Sequence, residues 1–156
     1  MEGTASEKDK WVLAEYQLGE DLSMVTEPDA PSYAAHFTDF RVWQHGMELT
    51  DQVYALSSRF PREELYALTS QIRRAIVSVT SNIAEGWGRN RIGYLSLGFT
   101  YSRGSLHEVE SQLYTAVLLK YLTKDEILPL TESIRKCSSG LLKFITRLGE
   151  KQRAGK

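Results

Sequence analysis

From Phe40 onward, apolar residues recur in alternating steps of three and four, the spacing that puts side chains on one face of an α-helix. Val42, Gly46, Leu49, Val53, Leu56 and Phe60 form the first stripe, flanked by Trp43, Met47 and Tyr54. Pro61 stops it and suits the first turn of a second helix, where Glu63 and Glu64 favour the positive end of the helix dipole. The second stripe is Leu65, Leu68, Ile72, Ile76, Val79 and Ile83, ending at Gly86-Trp87-Gly88. A third helix is predicted from Ile92 to Leu122, clearest at Leu106, Val109, Leu113 and Val117; Gly93, Gly98 and Gly104 weaken its first half and predict a bend or a close backbone approach there. Thr123 with Glu126 three residues on is a capping box for the fourth helix. Its stripe is Ile127, Leu130, Ile134, Cys137, Leu141, Phe144 and Leu148, with Pro129 about two turns inside, where it removes one backbone bond and predicts a kink. No stretch alternates with period two for long enough to argue a strand. Four helices of about 20 to 30 residues with short connections predict an all-α, antiparallel up-and-down four-helix bundle over residues 37–150.

Charge divides the chain differently. The formal net charge of -1 conceals nine acids against two bases in residues 1–40, a balance of -7, and +6 over the rest. Residues 1–36 therefore form an acidic extension, closed by the turn-forming run Pro28, Asp29, Pro31, Ser32. Trp11, Val12, Leu13, Tyr16 and Leu18 within it offer one or two amphipathic turns, too few for an independent fold. The extension is either a solvated tail or a segment that docks on a basic surface of its own or a neighbouring subunit. Residues 151–156 are read as a basic C-terminal tail.

The 156 residues, 42% of them hydrophobic, suffice for one domain with its own core, without disulfide or structural metal. No apolar run approaches the roughly 18 to 20 residues of a membrane span, and Met1 to Lys10 is polar, unlike a signal peptide. The single cysteine, Cys137, agrees with a reducing compartment, so a cytoplasmic protein is expected.

On the second helix, Gln71, Arg74, Ser78, Asn82 and Glu85 gather between about -80° and about -160° from the apolar stripe. Short hydroxyl and amide side chains can bond across a closely packed neighbour, so this row is either a polar network inside the bundle or a subunit contact. The same region carries a resemblance. Gln71-Ile72-Arg73-Arg74-Ala75, Ser81-Asn82-Ile83-Ala84-Glu85-Gly86 with Gly88-Arg89, and Gly104-Ser105-Leu106 with Glu108 and Glu110 resemble the signature of the 23S ribosomal RNA intervening-sequence protein family. Phe37, Asp39, Val42, Trp43 and Gln44 are similar to the family's entry into its first helix, and the likeness spans about residues 37 to 149. Relatives include the accessory variability protein of diversity-generating retroelements. The resemblance implies a four-helix bundle assembled as a ring, typically a homopentamer, without established enzymatic activity. In the retroelement relatives it implies a basic ring surface that engages nucleic acid and a reverse transcriptase. The chain departs from the pattern where Gly46 replaces a usual alanine, where Ser96 to Ser102 is more polar, and in the acidic extension.

The predicted topology gathers Arg41, Trp87, Arg89, Arg91, Lys143, Arg147, Lys151, Arg153 and Lys156 at one end, a nucleic-acid-binding pole that attracts phosphates without reading bases. Trp87 is placed either to stack on a base or to anchor packing. Arg147 and Lys151 equally complement a helix C-terminus without any ligand. Gln71, Arg74, Ser78, Asn82, Glu85 and Glu108 are assigned to assembly or the structural network.

Enzymatic readings find little. His45-x-x-Glu48 and His107-x-x-Glu110 reverse the usual di-metal order, and on the wheel Glu48 and the second pair fall off their core stripes, so no metal or other cofactor is expected. Phosphate loop, paired cysteines, nucleophile elbow and a credible catalytic triad are all missing. Cys137 falls on an apolar stripe, as a buried small hydrophobe does. The expectation is a non-catalytic oligomeric scaffold for RNA or a ribonucleoprotein, including a reverse transcriptase complex. The alternative is a protein-interaction module that works through the acidic extension.

Overall fold

The structure, a computed structural model, describes residues 34–154. The acidic segment 1–33 and Lys156, and what was expected of them, lie outside the described residues. Four helices carry the fold: α1 Arg41–Ser57, α2 Leu68–Gly88, α3 Ile92–Leu118 and α4 Lys124–Ala154. Single 3-10 turns at Phe37–Asp39 and Arg62–Glu64 precede α1 and α2. Each helix packs on two neighbours: α2 and α3 share the most extensive contact, α1 and α4 the slightest, and the diagonal pairs do not approach. The all-α bundle expected from the stripes is the fold observed.

The stripes form the core. Leu49 and Val53 from α1, Ile76 and Ile83 from α2, Leu106 and Leu113 from α3, and Ile134 and Leu141 from α4 are fully buried. Phe40, Phe99 and Phe144 close it near the start of α1, with ring centroids 5.2 to 5.9 Å apart.

Several element ends differ from expectation, each for a local reason. Helix α2 starts at Leu68 rather than at Pro61, because Glu64 turns back and its Oε2 accepts the Leu68 N–H at 3.0 Å, capping the helix there. Leu65, placed on the stripe by spacing, is consequently half exposed. Helix α1 ends at Ser57 and α3 at Leu118, and Lys120 then takes φ 62° to end the run. Helix α4 is continuous through Pro129, which sits on an exposed position in its second turn and forfeits one bond. Lys151 and Arg153, expected in a tail, lie in the last turn of α4, where Arg153 Nε donates to the Gly149 carbonyl at 3.2 Å. The capping box is present: Thr123 N–H donates to Glu126 Oε2 at 2.7 Å, and Glu126 N–H to Thr123 Oγ1 at 3.3 Å. This acceptance, with Arg59 at 2.6 Å, pulls the Glu126 carboxyl down to about 2.

The glycines of α3 resolve into distinct roles. A Cβ on Gly98 would lie 2.5 Å from the Asn82 carbonyl oxygen and 3.0 Å from Gly86 Cα, so α2 and α3 cross with their backbones nearly touching. Gly104 faces open space. The polar stretch Ser96 to Ser102 belongs to the same crossing: Ser102 is fully buried and its Oγ donates to the Val79 carbonyl at 2.6 Å. Gly46 has an analogous reason, since Thr80 Cγ2 stands 2.8 Å from where its Cβ would be.

Candidate nucleic-acid interface

The antiparallel path brings the start of α1, the α2–α3 turn and the end of α4 together. A groove of about 1170 Å³ opens at this end, with Phe40 from the head of α1, Trp87 from the tail of α2, Arg91 and Tyr94 at the head of α3 and Gln152 near the end of α4 on its walls. Asn90 makes the turn between α2 and α3 with φ 50°, a left-handed conformation that asparagine tolerates better than most residues. Among the described residues, no glycine takes a positive φ. Gly86 is kept small instead by the Tyr94 carbonyl oxygen, 2.8 Å from its would-be Cβ.

The expected basic residues reach this end unequally. Arg91, Lys143, Arg147 and Arg153 are exposed, as is Arg41, and Lys151 is half-buried. Arg89 is already engaged: its guanidinium pairs with Glu85 at 2.6 Å and lies 5.1 Å from the Tyr94 ring centroid. The Glu85 carboxylate raises the Arg89 pKa further above its ordinary value. Trp87 is half-buried, with its ring edge-on to His36 at 5.3 Å and to Phe37 at 6.0 Å. It anchors the approach to α1 and contributes to the groove wall.

Sequence position alone groups these bases by pole, whereas the helix adds a direction. Lys136, Lys143, Arg147 and Lys151 project between about -80° and about -160° from the Leu141 core direction of α4. That flank faces α1, as three contacts establish: His45 Nε2 with Ser133 Oγ at 2.7 Å, Cys137 Sγ with the Val42 carbonyl at 3.7 Å, and Gly140 against Val42. Arg41 begins α1 on the matching side. Bases therefore line the α1–α4 seam as well as the pole, with the Glu48 carboxylate of α1 near Cys137 on the same flank, and Lys136, missed when bases were grouped by loop, belongs to this row. Its charge is close enough to help lower the pKa of His45, although burial of the imidazole is the larger cause.

The row on α2 separates into inward and outward members. Asn82 Nδ2 donates to Ser78 Oγ at 2.9 Å, and Ser105 Oγ from α3 bonds to Ser78 Oγ at 3.1 Å. Ser78 thus links the two helices. Gln71 and Arg74 are exposed, Glu85 is committed to Arg89, and Glu108 accepts from Gln112 at 3.1 Å along α3.

Of the residues weighed for metal or nucleophilic chemistry, His45 and Cys137 lie in the α1–α4 seam and His107 and Glu110 on the α3–α4 side. Among the described residues, no group of three or more His, Cys, Asp or Glu is arranged to hold a metal ion. His107 Nε2 is 3.2 Å from Ser138 Oγ, and its Nδ1 is 3.8 Å from Glu110 Oε2. Ser138 is buried in mid-helix, and Glu110 is held by Arg135 at 2.8 Å. Helical backbone on both sides leaves no free N–H to receive an oxyanion, so this relay ties α3 to α4. Cys137 is buried, and desolvation lifts its thiol to about 12, leaving it protonated and inert. No described helix is long and apolar enough to cross a membrane.

A family model described as 23S rRNA-intervening sequence protein matches residues 38–143, most of the bundle. The chain belongs to the 23S rRNA-intervening sequence protein family. No curated protein matches it. The family match ends at Lys143, so Arg147, Lys151 and Arg153 lie beyond the part this chain shares with the 23S rRNA-intervening sequence family.

Proposed function

We propose that this member of the family is a non-catalytic accessory protein that binds RNA or a ribonucleoprotein through the cationic surface of the pole and the α1–α4 seam. One observation carries the reading: Arg41, Arg91, Lys143, Arg147 and Arg153 are exposed on one end of a rigid bundle, joined there by Lys151. Such a surface attracts phosphates at any sequence, because releasing the counterions condensed on a nucleic acid drives the binding. The reading includes self-assembly into a ring, with a homopentamer as the family likeness suggests, which would repeat the patch and sum its field. Exposed Tyr66, Tyr101 and Leu118 support a contact between copies. A reverse transcriptase bound to its RNA is one ribonucleoprotein that fits the same surface.

Anisotropy of a labelled single-stranded RNA, titrated between about 50 and 200 mM salt, tests the reading. Affinity should fall steeply with salt, and Lys143→Glu with Arg147→Glu should lower both affinity and slope. Absence of binding to RNA and to single-stranded DNA at low salt would sink it. Light scattering that finds a monomer at micromolar concentration would remove the ring separately.

A further inference from the structure

The first described residues, Ala34 and Ala35, are themselves part of the groove wall at the basic pole. The chain before them therefore starts its path at the mouth of the groove. That chain is 33 residues long and holds eight acids against two bases. Its aromatic and aliphatic residues, Trp11, Leu13, Tyr16 and Leu18, are interspersed with Glu15, Glu20 and Asp21. The groove has the complementary composition, with Phe40, Trp87, Leu95 and Leu97 for apolar contact and Arg91 for charge. Arg91 is also the N-cap of α3 and makes no cap hydrogen bond through its side chain, and the first turn of α3 contains no acid. An incoming carboxylate would supply what a helix start ordinarily recruits from its own sequence.

We propose that the acidic segment 1–33 docks in this groove of its own subunit and covers the basic pole, an autoinhibitory contact that competes with nucleic acid. The proposal rests on the RNA-binding reading for its consequence but not for the docking itself. Tethering at Ala34 makes the contact intramolecular, so the local concentration of the arm is on the order of millimolar and modest intrinsic affinity suffices. Pro28, Asp29 and Pro31 provide the turn chemistry for the chain to reverse on itself just before the groove. Nucleic acid carries more negative charge than the arm and displaces it by mass action, so the arm sets a threshold for weak or isolated phosphates.

Hydrogen exchange in the full-length protein reads docking directly. The amides of Ile92, Gly93 and Tyr94 have no intrahelical acceptor and exchange quickly unless something covers them. They should exchange about tenfold more slowly in the native chain than in a variant with Glu15→Gln, Glu20→Gln, Asp21→Asn, Glu27→Gln and Asp29→Asn. A second variant, Trp11→Ser, Leu13→Ser, Tyr16→Ser and Leu18→Ser, should also lose protection. Both change only residues before the bundle. In parallel, single-stranded RNA should bind the acid-neutralised variant about tenfold more tightly at low salt, with the difference closing as salt rises. Equal exchange in native and variant chains would overturn the docking, even where RNA affinity rises, since charge alone then accounts for the gain. Slower exchange in the native chain without RNA binding by any form supports the docking and refutes the RNA-binding reading instead.

Discussion

A methyl group added at Gly98 would meet the Asn82 carbonyl oxygen at 2.5 Å and Gly86 Cα at 3.0 Å, and neither is the end of a flexible side chain. Backbone would have to move, and the α2–α3 crossing is the most extensive contact in the bundle. Gly98→Ala should therefore cost about 3 kcal/mol, the upper part of the overpacking range. Gly104 occupies the same helix with nothing within 4 Å of its would-be Cβ. There the conformational freedom of glycine is all that changes, and Gly104→Ala should stabilise by roughly 0.5 to 1 kcal/mol. Urea unfolding of the two variants checks both signs; equal effects would mean that α2 and α3 are not in backbone contact. The pattern of residues could suggest a close approach somewhere in the first half of α3, but not which glycine makes it. That depends on which face of α3 meets α2, a fact carried by packing between distant segments.

At the scale of helices, the Thr123–Glu126 box was legible because both partners are local and their spacing fixes the geometry. The Glu126 carboxyl falls to about 2 against an ordinary 4.5, so its contribution to stability is complete above pH 4.5 and is lost as pH falls toward 2. Thr123→Ala removes the hydroxyl cap, which should cost about 1 kcal/mol at neutral pH. It should also make the decline of stability between pH 4.5 and 2 slightly shallower; an unchanged acid limb in pH-dependent thermal unfolding would show that the Thr123 backbone N–H and Arg59, both left in place, depress the group without the hydroxyl. The start of α2 was not legible, since Pro61, Glu63 and Glu64 look like a first turn, while Glu64 caps a helix four residues later and accepts from the Tyr121 hydroxyl at 2.9 Å. Spacing counted Leu65 into the stripe, whereas the turn at Arg62–Glu64, held by Tyr121 from the α3–α4 connection, leaves it half exposed. Contact between α1 and α2 gives a further test. Gly46→Ala should destabilise by about 1 to 2 kcal/mol by pressing on Thr80 Cγ2, and Thr80→Ser, which removes that methyl and keeps the hydroxyl, should recover most of the loss. Simple additivity in the double-mutant cycle would place the strain elsewhere.

Across the whole molecule, what matters for a nucleic acid is where charge remains uncompensated, and counting bases by position overstates the α2–α3 turn. Arg89 is paired with Glu85 at 2.6 Å, so together they contribute nothing to the net field, although both side chains are more than half exposed and the pair itself adds little stability. The α4 row of Lys136, Lys143 and Arg147 accumulates charge along the α1 flank instead. Arg89→Ala turns the neutral pair into a bare carboxylate, so it should weaken RNA binding through repulsion by Glu85 while leaving the salt dependence nearly unchanged, because no phosphate contact is lost. Glu85→Gln should do the opposite, releasing Arg89, tightening RNA binding and steepening the salt dependence by about one phosphate contact. Lys143→Ala and Arg147→Ala should each weaken binding and flatten that dependence by a similar step. Titrations of the four variants at several salt concentrations separate the outcomes. A greater loss in Arg89→Ala than in Arg147→Ala would mean that the Glu85 pair opens to admit a phosphate, which would centre the interface on the α2–α3 turn instead of the α1–α4 seam.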